Sequence, residues 1–236
     1  MLSLHGYQID DRNVARPEYR SELEALGFRA VPVVVADGRT FPGFPEEVIT
    51  RELGLPAPEA TPERQRRQLE LTHRILAATV DVVAQLPDER WGDLVAEHRN
   101  RSLGHFAWHM FHFAEIIMET AEEKTLTWDK FHSSTETQYW DRSGDFPNFA
   151  SVATYARGVV ERFGVWSEAL PEGALMEVMD TCWGRVTLHA LIDNTVRHTA
   201  VHLRQLLSRL AEWQPDASVR VPSDLLAAVP DPPVLW

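Results

Sequence analysis

The sequence predicts a mainly α protein, an up-down four-helix bundle with a small N-terminal α/β segment. Three observations carry this. Four long stretches between residues 61 and 213 repeat apolar side chains at helical spacing. Proline-containing breaks separate several of them. The first 55 residues instead read as a β-branched run, a turn signal and short amphipathic pieces.

In order, Arg16 to Leu26 reads as a short helix stopped by Gly27, and Val31 to Ala36 as a strand ended by Asp37-Gly38, a hairpin signal. Pro42 to Pro45 makes a second turn, and Glu46 to Leu53 one more short helix. Gly54 to Pro62 holds prolines that cannot continue a helix, so residues 1–55 form one unit and 56–62 a linker. Thr61-Pro62-Glu63 then starts a helix with a hydroxyl cap, a proline at the first helical position and an acid in the first turn.

That first long helix runs to about Leu86, with Leu69, His73, Leu76, Val80 and Val83 on one stripe. A second spans Asn100 to Lys124. A third spans Phe149 to Leu170, with Val152, Tyr155, Val159, Phe163 and Trp166 in phase. The fourth covers Leu188 to Trp213. The bundle therefore occupies residues 63–214, followed by a tail at 215–236, and its core is where facing helices build metal sites. The connection from Thr125 to Asn148 is long and aromatic, and Tyr139 and Trp140 within it are expected to wall a pocket. No pattern assigns Pro171 to Thr187. Trp91, Trp108 and Trp213 read as core.

Composition narrows the function. A net charge of −12 over 236 residues argues against a nucleic-acid phosphate track. The single cysteine, Cys182, excludes an internal disulfide framework and a cysteine-rich zinc module, and reads as inert. No apolar run approaches the roughly 20 residues that span a bilayer, and Met1 to Gly6 is too short for a signal peptide. The expectation is a cytoplasmic protein that binds neither membrane nor nucleic acid and takes a small molecule as substrate, with a homodimer as the default assembly.

The histidines carry the chemistry. His198 and His202 stand four apart on the fourth helix, so their imidazoles point the same way. On the second helix His105, His109 and His112 share one face, and each is a candidate to face that pair. Three imidazoles around one point make an open-sided site for a divalent metal, zinc first, with nickel, iron or copper also suited. Thr199 follows His198 where a zincin has glutamate, so peptide hydrolysis is disfavoured. The paired Glu-x-x-His signature of di-iron bundles is also absent, and one metal is expected.

The strings GHFAWHMFHFAE and HTAVHLRQL resemble the DinB/YfiT-like metal-binding four-helix bundles, which include mycothiol-dependent maleylpyruvate isomerases and bacillithiol S-transferases. The resemblance covers about residues 62 to 213. It implies His109, His198 and His202 as the metal ligands, with His105 and His112 lining the pocket or supporting the ligands. His73, on the stripe of the first helix, is expected in the core or the pocket wall. Maleylpyruvate isomerases usually have a glutamate where this chain has His198.

Residues Arg16 to Gly38, with Gly43-Phe44, are similar to the second half of a glutaredoxin or thioredoxin-like domain. That likeness implies a cis bond at Val31-Pro32 and a thiol-binding role for Val31 and Pro32. The C-x-x-C of that family is missing, so redox catalysis is not expected. Together the resemblances imply a metal-dependent enzyme that uses a low-molecular-weight thiol (glutathione, mycothiol or bacillithiol type) for transfer, isomerisation or displacement on a small electrophile. The alternatives are a hydrolase or dehalogenase using metal-activated water, and a non-enzymatic metal-binding stress or scaffold protein.

Overall fold

A two-residue hairpin turn of the kind that matches strand twist needs positive φ at both central residues, which Asp-Gly tolerates. In the computed structural model, Asp37 and Gly38 adopt φ of 52° and 73°. They join β1 (Val33–Ala36) to β2 (Arg39–Pro42), with Val33 opposite Pro42 and Ala36 opposite Arg39. The structure describes residues 6–14, 16–28, 31–57, 59–96, 99–135, 145–214, 216 and 221–229. The helix α1 (Pro17–Ala25) precedes the hairpin and buries none of its residues. The helix α2 (Glu46–Leu53) follows it, packs on β2, and buries Val48, Ile49 and Thr50. Gly54 ends α2 in the left-handed conformation. Both Val31–Pro32 and Phe44–Pro45 are cis.

By contact, the chain divides into two compact units, Met1–Glu59 and Ala60–Trp236. The second is built on four long helices: α3 (Pro62–Val83), α4 (Leu103–Glu123), α6 (Phe149–Ala169) and α7 (Leu188–Trp213), with the short α5 (Trp128–Thr135) between α4 and α6. Each long helix starts on a side-chain cap. Thr61 accepts from the Arg64 N–H, Ser102 from His105, Asn148 from Ser151 and Thr187 from Ala190.

The neighbouring pairs are α3–α7, α7–α4, α4–α6 and α6–α3, so the four helices form a square. Their directions follow from what meets at each end. Past α3, Trp91 lies against Gly104 at the start of α4, and Asp88 accepts from the Phe149 N–H at the start of α6. At the other end Gln68 of α3 donates to Asp193 of α7. There also β5 (Thr125–Leu126), just after α4, pairs in parallel with β6 (Val178–Thr181), just before α7. The order is therefore up, down, down, up. This refines the simple alternation expected: α4 and α6 run parallel, so the segment joining them leaves one end of the bundle and re-enters at the other.

Polar residues lie on the buried faces of α3 and α7. Thr72, Thr79, Thr195 and Thr199 are fully buried, and each hydroxyl donates to the carbonyl four residues earlier at 2.7–2.8 Å. The back-bonds satisfy groups that would otherwise cost roughly 1–3 kcal/mol each in the core.

Several expectations change. Asn100 does not open the second helix, because Arg99–Ser102 is a strand, β4, paired with β3 (Leu94–Ala96), and the helix starts at Leu103 behind the Ser102 cap. Pro171 to Thr187 contains the β6–β7 hairpin, β7 being Gly184–Thr187, with Cys182 and Trp183 as its two-residue turn. Trp108 is core, but Trp91 and Trp213 are only half-buried, the latter under the Arg90 guanidinium at 5.3 Å. Part of the C-terminal stretch docks on the bundle. The helix α8 (Ser223–Ala227) buries Leu225, and Arg204 of α7 donates to the Leu226 and Val229 carbonyls. Among the described residues, no helix is long and apolar enough to cross a membrane.

Candidate metal centre

Residues four apart on a helix stack on one face, and α7 runs without a break through both of its central histidines. His198 and His202 accordingly lie edge to face, with ring centroids 4.2 Å apart. Opposite them, α4 presents His109. Its Nε2 is 3.0 Å from the Nε2 of His198, and its ring is 5.4 Å from that of His202. One nitrogen from each of the three lies within 4.8 Å of the others, which among the described residues is the one such cluster of candidate ligands. His109 and His202 are buried and His198 is half-buried, so the cluster has one side nearer solvent.

Proton placement follows from the neighbours. The Nδ1 of His202 is 2.6 Å from the side-chain oxygen of Gln205, itself 3% exposed. A carbonyl oxygen only accepts, so the proton sits on Nδ1 and the lone pair on Nε2. His109 titrates well below the usual histidine range. Burial is the main cause, followed by the positive charge of Arg101 and the three other imidazoles at 198, 202 and 105. It is neutral at physiological pH, as a ligand must be. Two imidazole nitrogens at 3.0 Å share one proton or one cation between them. A third lone pair converging on the same region suits a cation, and three nitrogens without a carboxylate are a borderline-soft donor set suited to zinc. These residues fit a single divalent metal.

The surroundings are aromatic. Phe106 meets the ring of His202 at 4.6 Å and Phe113 that of His198 at 4.5 Å. Beyond Phe113, Phe131 of α5 stands at 6.2 Å, and Trp183 of the β6–β7 turn packs on Phe131 at 4.9 Å. Trp128 joins the same group and is 40% exposed. The long connection thus supplies an aromatic wall. Tyr139 and Trp140 lie outside the described residues.

The other candidate histidines stand elsewhere. His105 is fully buried one turn before His109, its ring 5.7 Å from that of Trp108, and is not in the three-nitrogen cluster. His112 stacks on Trp108 at 4.4 Å and contacts the Glu115 carboxylate at 3.2 Å. That carboxylate also accepts from the Tyr155 hydroxyl and the Arg162 guanidinium of α6. His73 faces α6, where a side chain at Gly164 would come within 3.1 Å of its Nε2. In the N-terminal unit, Val31 is exposed, and the Pro32 carbonyl accepts from the Gly43 N–H at 2.8 Å. That approach requires glycine, because a Cβ at 43 would stand 2.9 Å from the Pro32 ring.

Two groups escape the sequence pattern. Gln205 stands three residues after His202, and Glu115 three after His112, spacings at which helical side chains meet. Burial pushes the Cys182 thiol up to about 12, away from the thiolate that a nucleophile needs.

No family model, curated protein or solved structure matches the chain.

Proposed function

We propose that this protein is a metal-dependent enzyme in which His109, His198 and His202 hold one divalent ion, zinc first among the candidates, and a small thiol adds to or displaces a group from a small electrophile. The observation that carries the reading is the convergence of three imidazole nitrogens in a largely buried cluster that, among the described residues, includes no carboxylate. A divalent ion held by three neutral imidazoles supplies Lewis acidity that favours the ionised form of a thiol or water at neutral pH.

The chain's own residues supply the rest. His109 and His202 fix two donors inside the bundle, where bulk water is excluded. His198, half-buried, marks the side from which small reactants approach. Phe106 and Phe113 bound the cluster with apolar surface, which strengthens electrostatic interactions within it. The one cysteine is half-buried with its thiol pushed up to about 12, so it is a poor competing sulfur nucleophile. The preference for thiol over water rests on the resemblance to thiol-using DinB-like bundles and on the glutaredoxin-like N-terminal unit. A cytoplasmic homodimer completes the proposal.

The test is turnover of zinc-loaded protein on a panel of activated alkenes, epoxides and aryl halides, with and without glutathione. Turnover that requires both metal and thiol is expected. Thiol-independent release of product would replace this reading with a metal-dependent hydrolase or dehalogenase. Stoichiometric metal with no turnover under either condition would favour the binding protein.

A further inference from the structure

The three histidines are held in different ways. His198 is half-buried, and His109 is fully enclosed, yet its Nδ1 has no hydrogen-bond partner among the described residues. His202 is gripped through its second nitrogen by the 2.6 Å hydrogen bond to Gln205. Both residues lie on α7, one turn apart, so the helix backbone fixes their separation. Gln205 is itself enclosed, which restricts its rotamers.

We propose that Gln205 is a positioning residue for the metal site. By accepting the Nδ1–H of His202 it selects the tautomer whose lone pair is on Nε2 and turns that lone pair toward His109 and His198. This inference rests on the metal-site reading above and deepens it. The choice of an amide has a chemical consequence. A carboxylate at 205 would draw the Nδ1 proton toward itself and add a negative charge beside the site. Glutamine orients the ring without either effect, so the full charge of a bound dication acts on whatever anion approaches the open side. A site held this way favours an anionic fourth ligand more strongly than a site with a histidine–carboxylate pair.

The experiment compares wild type, Gln205→Met and Gln205→Glu. Methionine has similar volume but does not replace the amide acceptor, whereas glutamate keeps an acceptor oxygen. Zinc affinity is measured by competition with a chromophoric chelator, the visible absorption of the cobalt-loaded proteins is recorded, and far-ultraviolet circular dichroism checks the fold. Gln205→Met is expected to weaken zinc by about 10–100-fold. Gln205→Glu is expected to bind within a few-fold of wild type, with its cobalt bands displaced. Wild-type affinity and an unchanged cobalt spectrum in Gln205→Met would overturn the positioning role while leaving the metal site standing. Should that variant not fold, Gln205→Glu decides: zinc lost as completely as in a ligand deletion would overturn the role. A wild-type protein that binds no zinc would overturn both readings.

Discussion

His109 and His112 sit three residues apart on α4, and their neighbours give them opposite chemistry. His109 is enclosed among imidazoles and aromatic rings and is held neutral by burial. His112 is partly exposed and belongs to a clasp in which Glu115 gathers His112, the Tyr155 hydroxyl and the Arg162 guanidinium, tying α4 to α6. One region keeps lone pairs available, and the other consumes its polar groups in structure. Identity and helical spacing alone do not separate the two. The separation comes from which helix each faces, α7 for His109 and α6 for the Glu115 clasp.

The largest expected effect breaks this contrast directly. His198→Ala should reduce metal affinity by at least the roughly 10–100-fold that supporting residues contribute, whereas His112→Ala should leave one metal per chain, both read by elemental analysis after dialysis. Equal losses in the two variants would erase the distinction.

A smaller effect strikes both regions together, through the start of the helix they share. A Cβ at Gly104 would stand 2.5 Å from the Trp91 indole, so Gly104→Ala forces repacking at the first turn of α4. A stability loss of about 1–3 kcal/mol is expected in urea unfolding.

Glu115→Gln sharpens the contrast from the other side, with an expected cost of about 1–2 kcal/mol and unchanged metal content. Its pH dependence has a definite sign. Burial raises the Glu115 pKa, but hydrogen bonds from His112 and Tyr155 and the nearby charges outweigh it, so the folded value lies below the ordinary 4.5. A depressed carboxylate pKa contributes stability that is present above the unfolded value and lost as pH falls through the folded one. Wild type should therefore lose this increment below about pH 4.5, and Glu115→Gln should not, as shown by urea titrations from pH 7 to 3.

The smallest effect belongs to Cys182. With its thiol pushed up to about 12, almost no thiolate exists at neutral pH. Native protein should react far more slowly with iodoacetamide than urea-unfolded protein, and Cys182→Ser should leave metal binding intact.

The same comparison explains what was legible in the sequence. The long helices announced themselves: Thr61-Pro62 and the apolar stripes place α3, and the fourth helix runs over Leu188–Trp213 as its spacing predicts. The His-x-x-x-His step is also local, because one helix turn fixes it. Distinguishing His109 from His105 and His112 is not local, since all three recur at helical spacing in the sequence and only their packing partners differ. Gln205 went unread because a glutamine on a helix is ordinarily a solvated residue. Thr72, Thr79, Thr195 and Thr199 read as polar, yet back-bonding lets them occupy the core. The β6–β7 hairpin escaped because it has no Gly- or Asn-centred turn pair at its tip: Cys182 and Trp183 make the turn.

The most direct test of the metal site is X-ray absorption at the zinc edge of the zinc-loaded, full-length protein. Three imidazole nitrogens at about 2.0–2.1 Å plus one further light atom are predicted, with the imidazole signal reduced in His202→Ala. A sulfur shell from the protein alone, a carboxylate-dominated shell, or a spectrum unchanged in His202→Ala would contradict a centre built on His109, His198 and His202.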